Sequence, residues 1–218
     1  MTEVEALETR VVLADDPETI GHARRLLQAG QVVAFPTDTV YGVGAHALQP
    51  EAVAALYAAK HRPADKAIPI LVAHIEDMAQ VACQVPAVAW ELAERFWPGG
   101  LTLVLPCAAG VPSIVTAGGD TLAIRCPDHP VPLALIRAVG APLAATSANL
   151  SGQPYPTTAR QVEAQLAGRV PLIIDGGACP GGIPSSVVNL SVSPPRLVRV
   201  GAIPVGELRR WLPDLVGV

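Results

Sequence analysis

The 218-residue sequence is poor in aromatic residues and in charge, with Phe, Trp and Tyr making up 4% of it and Asp, Glu, Lys and Arg 16%. Few aromatics leave few platforms on which bases can stack, and a formal net charge of −4 supplies no global positive field, so a general nucleic-acid-binding surface is disfavoured. Any anion must be caught locally. No apolar run reaches the ~18 residues that a bilayer span requires, and even the greasy stretch Val131–Ala145 is broken by Arg137. The chain begins acidic where a secretion signal is basic, so a cytoplasmic protein with no membrane role is expected. Cys83, Cys107, Cys126 and Cys179 match no zinc or redox spacing and are expected to be reduced, mostly buried thiols. The histidines show no metal-ligand spacing, so no metal site is expected. Walker A, GxGxxG and GxSxG sequences are also missing, which removes the commonest nucleotide-loop and hydrolase signatures.

Half of the residues are apolar, enough for a core, and 22 prolines and 19 glycines signal many turns. Short apolar runs at Gln31–Phe35, Leu101–Leu105, Leu122–Ile124, Leu143–Ala145 and Leu172–Ile174 read as buried strands. Between them lie helical patterns: Asp16–Ala29, opened by Asp16-Pro17-Glu18 and stopped by Gly30, then Glu51–Lys60, Pro86–Phe96, Val131–Val139, Thr158–Ala167 and Val205–Leu212. This alternation predicts an α/β fold: a single domain over 1–218 whose sheet carries helices on both faces. No repeat or interdomain linker interrupts it.

Five segments could carry chemistry. Pro36-Thr37-Asp38-Thr39-Val40-Tyr41-Gly42-Val43-Gly44 follows a buried strand directly, where open α/β sheets bind ligands, although a plain turn would look the same. Lys60-His61-Arg62-Pro63-Ala64-Asp65-Lys66 gathers three of the fifteen Lys and Arg residues. Pro63 forces extended backbone on Arg62, which suits a shared phosphate chain; bases complementing a helix dipole are the alternative. Arg125 ends an otherwise apolar strand and needs an anion, either a protein carboxylate or that of a ligand. Ala144–Gly152 places small residues at a strand end before a cluster of hydroxyls and an amide, a ligand loop or a capped turn. Gly181–Val188 leads from two glycines into Ser185 and Ser186, with Arg199 following; a hairpin with polar ends fits equally well.

Taken together, Pro36–Gly42, Lys60-x-Arg62-Pro63, Trp97–Thr102, Thr121-x-x-x-Arg125-x-Pro127-x-His129-Pro130, Thr146-Ser147-Ala148-Asn149-x-Ser151-Gly152 and Arg199-x-Gly201-x-Ile203 resemble the YrdC-like family, in its order, from about residue 15 to residue 205. The resemblance implies a twisted, mostly parallel open sheet around a large concave cavity. It also implies an enzyme that joins L-threonine, bicarbonate or CO₂, and ATP into threonylcarbamoyl-AMP with release of pyrophosphate. A separate transferase complex would pass the group on to tRNA. Mg²⁺ is expected with the triphosphate.

Matched position by position, the family's ATP-binding residues fall on Lys60, Arg62, Thr121, Ser147, Asn149 and Arg199, with Thr121 between the two ligands. Those around L-threonine fall on Thr39, Arg125, Ala145 and Ser185, and no covalent catalyst is implied: Lys60, Arg62 and Arg125 would act by charge and position. The chain departs from the pattern at Ile68–Leu71, where many members carry a histidine, and at Tyr155, where some carry serine. Two other readings fit the sequence: an RNA-binding module without catalysis, and a carbamoyl-adenylating domain of the same family. The Gly-rich segment 176–184 could act as a lid, which the sequence leaves open.

Overall fold

The computed structural model describes residues 7–180 and 183–217. One ten-stranded sheet runs through it in the order β1-β8-β2-β3-β7-β4-β6-β5-β9-β10. The strands are β1 (Arg10–Leu13), β2 (Val33–Phe35), β3 (Gly42–His46), β4 (Ile70–Leu71), β5 (Leu101–Pro106), β6 (Thr121–Arg125), β7 (Leu143–Ser147), β8 (Leu172–Asp175), β9 (Ser186–Asn189) and β10 (Arg196–Arg199). The helices are α1 (Thr19–Gln28), α2 (Pro50–Lys60), α3 (Met78–Val81), α4 (Ala87–Phe96), α5 (Pro130–Val139), α6 (Ala159–Leu166) and α7 (Val205–Trp211). Each buried apolar run of the sequence is a strand. Among the described residues no helix is long and apolar enough to cross a membrane.

The open α/β sheet with helices on both faces is as expected, but its strands are mixed in direction rather than mostly parallel. Only β1–β8, β2–β8, β4–β6 and β5–β9 pair in parallel; the other neighbours are antiparallel. The cause lies in connections too short for a crossover. Residues 36–41 turn β2 straight back into β3, and antiparallel pairs need no helix between them. The motif segment around Gly42 and Gly44 is therefore partly a strand, and its glycines serve packing. A Cβ on Gly42 or Gly44 would sit 3.1 Å from the Phe35 ring.

Alternation along the strands divides the core. Ala34, Ala144 and Ile173 face a large cluster with Leu56 of α2, Leu92 of α4, Val162 of α6 and Leu208 of α7. Their neighbours Val33, Phe35, Leu143, Leu172 and Ile174 face a smaller cluster with Leu27 of α1 and Leu135 of α5. α1 and α5 thus cover this second face only over the β1-to-β7 half of the sheet. On the other half the same face is carried by Thr102, Ala123, Arg125 and Val187, all of which line a cavity.

Asp16 sits one turn ahead of α1: its carboxylate accepts the Glu18 N–H at 2.9 Å, and the regular helix begins at Thr19. His129 is the N-cap of α5, accepting the Val131 N–H on Nδ1 at 3.2 Å. All four cysteines are free; Cys126 and Cys179 are buried as expected, whereas Cys83 is exposed and Cys107 half-buried.

Candidate active site

The cavity has a volume of about 400 Å³, within the range of small-molecule sites. Strands supply its floor and loops its walls. Thr39, Lys60, Arg62, Arg125, Ala145, Ser147, Asn149, Ser185 and Arg199, drawn from most of the length of the chain, all line it. Thr121 does not. It shares a strand face with Ala123 and Arg125 but lies at the opposite end of β6, paired with Pro106, about 13 Å from Arg125 at the usual strand rise. The place expected for it between two ligands is not part of this cavity.

Lys60 is the last residue of α2 and only 2% exposed. His61 caps the helix in the left-handed region at φ 50°, which turns the chain sharply and lets Lys60 and Arg62 reach the same hollow. The Lys60 ammonium donates to the carbonyls of Ser147 and Asn149, while its own carbonyl accepts the Ser151 N–H at 3.0 Å. One residue thereby pins both sides of the loop after β7. Burial, reinforced by the charge of Arg62, pulls the Lys60 pKa down to about 7. Arg62 donates from Nε to the Lys66 carbonyl at 2.9 Å and from Nη2 to the Ala67 carbonyl at 2.7 Å, which braces the cationic segment as one wall.

Arg125 is held on three sides. Nε donates to the Gly99 carbonyl at 2.8 Å, Nη1 to Thr39 Oγ1 at 2.9 Å, and Nη2 meets both carboxylate oxygens of Asp38 at 2.6 Å. The Trp97–Gly100 turn that supplies the Gly99 carbonyl is fixed by a bond from Gly99 N to the Cys126 carbonyl at 2.8 Å. Of the two anions the sequence left open for Arg125, the structure thus contains the protein carboxylate.

The hydroxyls near Arg125 are interlinked. Thr37 Oγ1 donates to the Val40 carbonyl at 2.7 Å and lies 3.0 Å from Thr39 Oγ1, which accepts from Arg125 Nη1. Across the cavity, Ser185 Oγ accepts from Arg199 Nη2 at 3.1 Å and shares a 2.7 Å bond with Thr102 Oγ1; Arg199 Nε also donates to the Ser185 carbonyl at 2.9 Å. Ser185 and Arg199, expected to serve different ligands, form one unit.

Asn149, expected to bind ATP through phosphate oxygens or a base edge, lines the cavity with its donors already engaged. Its Nδ2 donates to the carbonyls of Leu150 at 2.9 Å and Gln153 at 2.8 Å, so both amide hydrogens close the loop. Its buried Oδ1 has no hydrogen-bond partner among the described residues and offers only an acceptor.

Thr37, Tyr41, Lys66, Leu71, Thr102 and Tyr155 also line the cavity, although the sequence reading assigned none of them to a ligand. Thr102 was detectable, being the one polar residue at an alternate position within a buried run. Tyr41 was not, because its role depends on a segment far along the chain: its hydroxyl donates to the Gly177 carbonyl at 2.7 Å, and burial pushes its pKa up to about 12. The candidate lid over 176–184 spans Gly181 and Gly182, which lie outside the described residues. No carboxylate lines the cavity among the described residues, and no cluster of three potential metal ligands occurs among them. The described residues therefore do not fit a Mg²⁺ site of the protein's own.

A half-covered α/β sheet whose bare half floors a hollow of cations and hydroxyls presents a small-molecule site of the anion-binding kind. A family profile for Sua5, YciO and YrdC proteins, described as telomere recombination, matches residues 25–201. The chain belongs to this family. It is 48% identical over 190 residues to the threonylcarbamoyl-AMP synthase of Bacillus subtilis, covering 87% of this chain and 55% of that protein. With the Pyrococcus abyssi protein of the same name it shares 44% identity over 193 residues, 88% of this chain and 57% of that one. The chain thus spans just over half the length of these relatives. The crystal structure of P. abyssi Sua5 complexed with L-threonine superposes with a TM-score of 0.88 at 43% identity, covering 90% of this chain and 58% of that one.

Proposed function

We propose that this protein makes threonylcarbamoyl-AMP from L-threonine, CO₂ or bicarbonate, and ATP, releasing pyrophosphate, as the cytoplasmic supply step for N6-threonylcarbamoyladenosine in tRNA. A downstream transferase complex would receive the product. The observation that carries this reading is the convergence of Lys60, Arg62, Arg125 and Arg199 on one cavity. A triphosphate with about four negative charges and an amino-acid carboxylate together call for several cations, and this acidic chain concentrates five of its fifteen there, Lys66 included.

In the proposed reaction the threonine amine adds to CO₂ and loses a proton, giving a carbamate. A carbamate oxygen then attacks the α-phosphorus as the bond to pyrophosphate breaks. No side chain need form a covalent bond. Arg125 takes the amino-acid carboxylate, Thr39 offers its remaining lone pair to a donor of the same substrate, and Lys60, Arg62 and Arg199 neutralise the phosphates. Catalysis then rests on position and charge. The concave site also shields a carbamate and a mixed anhydride that water would destroy.

The decisive measurement is pyrophosphate release from ATP, with and without L-threonine and bicarbonate. Release that needs both is expected; release indifferent to either sinks the proposal. Arg125→Ala should raise the KM for L-threonine about 10- to 100-fold, the worth of a charge-assisted hydrogen bond, with a smaller effect on ATP.

The lowered pKa of Lys60 adds a pH signature. Above pH 7 the empty site holds mainly the neutral amine, whereas phosphate favours the ammonium, so binding must raise the pKa and draw in a proton. At pH 8 uptake approaching ~1 proton per ATP is expected, and affinity should fall as pH rises through 7. Calorimetry in buffers of different ionisation enthalpy measures this uptake directly. Binding heats independent of the buffer would contradict it.

A further inference from the structure

A carboxylate gripped by two nitrogens of an arginine uses either the Nε and Nη2 edge or the Nη1 and Nη2 edge. Both run through Nη2, and in Arg125 that nitrogen lies 2.6 Å from each oxygen of Asp38. The other two nitrogens are spent on Gly99 and Thr39. Arg125 therefore presents no vacant two-point edge to an amino acid. Resting on the function proposed above, we infer that Asp38 holds the place of the substrate carboxylate, and that amino-acid binding is an exchange in which the incoming carboxylate displaces Asp38 from Arg125 Nη2.

Three features of the loop suit such an exchange. Thr37 and Thr39 on either side of Asp38 line the cavity, so the Asp38 carboxylate meets Arg125 at its edge. Its side chain retains 15% exposure, which gives the displaced carboxylate a route to water. The backbone around it is fixed independently: Thr37 Oγ1 accepts the N–H groups of Thr39 at 3.1 Å and Val40 at 3.3 Å and donates to the Val40 carbonyl at 2.7 Å. Among the described residues Arg125 is the only hydrogen-bond partner of the Asp38 carboxylate. A side-chain rotation can therefore release it while Thr39 stays in place. In the empty protein the pair spares Arg125 an uncompensated buried charge.

Exchange makes Asp38 a determinant of amino-acid affinity that acts against binding, and this sets it apart from a residue that merely orients Arg125. Titration calorimetry of Asp38→Asn should show L-threonine bound about tenfold more tightly than by wild type, because the competitor is weakened. L-threoninamide, which lacks the carboxylate, should show no such gain. Equal or weaker L-threonine binding by the folded variant, checked by circular dichroism, overturns the exchange. Should the variant not fold, a crystal structure of wild type with L-threonine decides: the amino-acid carboxylate on Nη2 with Asp38 moved away supports it, and Asp38 still on Nη2 overturns it. If neither wild type nor variant binds L-threonine, with or without ATP, the proposed function fails as well. Binding to wild type that Asp38→Asn does not tighten sinks the exchange alone.

Discussion

Lys60→Ala is expected to lower threonine-dependent pyrophosphate formation about 100-fold while leaving a folded protein. Two losses combine. The ammonium that faces the phosphates disappears, and the carbonyls of Ser147 and Asn149 lose the donor that pins their loop to the end of α2. Global stability should change far less, since removing a buried amine also removes the cost of desolvating it. Lys60→Met separates the contributions: it keeps the aliphatic stem and should be as inactive as the alanine variant if charge dominates. Initial rates beside a thermal melt make the comparison. A folded Lys60→Ala variant turning over at the wild-type rate would remove Lys60 from the site.

Gly201→Ala should instead destabilise the whole molecule. A Cβ at this position would lie 2.3 Å from the Pro184 carbonyl oxygen and 2.4 Å from Ser185 C and Ser186 N. These are backbone atoms of the approach to β9, so no flexible side chain can yield, and the strand must move. Such overpacking costs about 3 kcal/mol, which for a domain of this size lowers the melting temperature by roughly 10 °C. The same displacement carries Ser185 away from Arg199 and Thr102, so the residual folded protein should also bind ATP less well. A melting temperature within about 2 °C of wild type would show that the contact relaxes at little cost.

Much of the fold was legible because its strands are buried on both faces and read as short apolar runs, and its longer helices carry clear stops such as Trp97-Pro98-Gly99-Gly100. What stayed hidden was short or exposed. β4 has only two residues, and β1 lies at a sheet edge with Leu13 62% exposed, so neither apolar run has the length or burial that sets a strand apart. Strand direction was beyond a pattern that records burial alone, and β3, half glycine and alanine, reads as a loop until the Phe35 ring is placed over it. The site was legible as residue types but not as partnerships. Arg125 announced that it needed an anion, yet nothing in the linear order distinguishes Asp38 from a ligand. Asn149 advertised a donor, and only the carbonyls of Leu150 and Gln153 reveal that both hydrogens are already in use.

The bare half of the sheet places two kinds of position side by side on the same strands. In β6, Leu122 and Ile124 belong to the large core, whereas Ala123 and Arg125 open onto the hollow; in β5, Leu101 and Leu103 flank Thr102 in the same way. A residue-by-residue scan along either strand should therefore alternate, odd and even positions failing for different reasons: one set as protein that does not fold, the other as protein that folds and does not turn over. Evolution can retune the ligand here without renegotiating the scaffold, provided the strands never slip by a single residue, since one step of register would put leucines in the pocket and an arginine in the core.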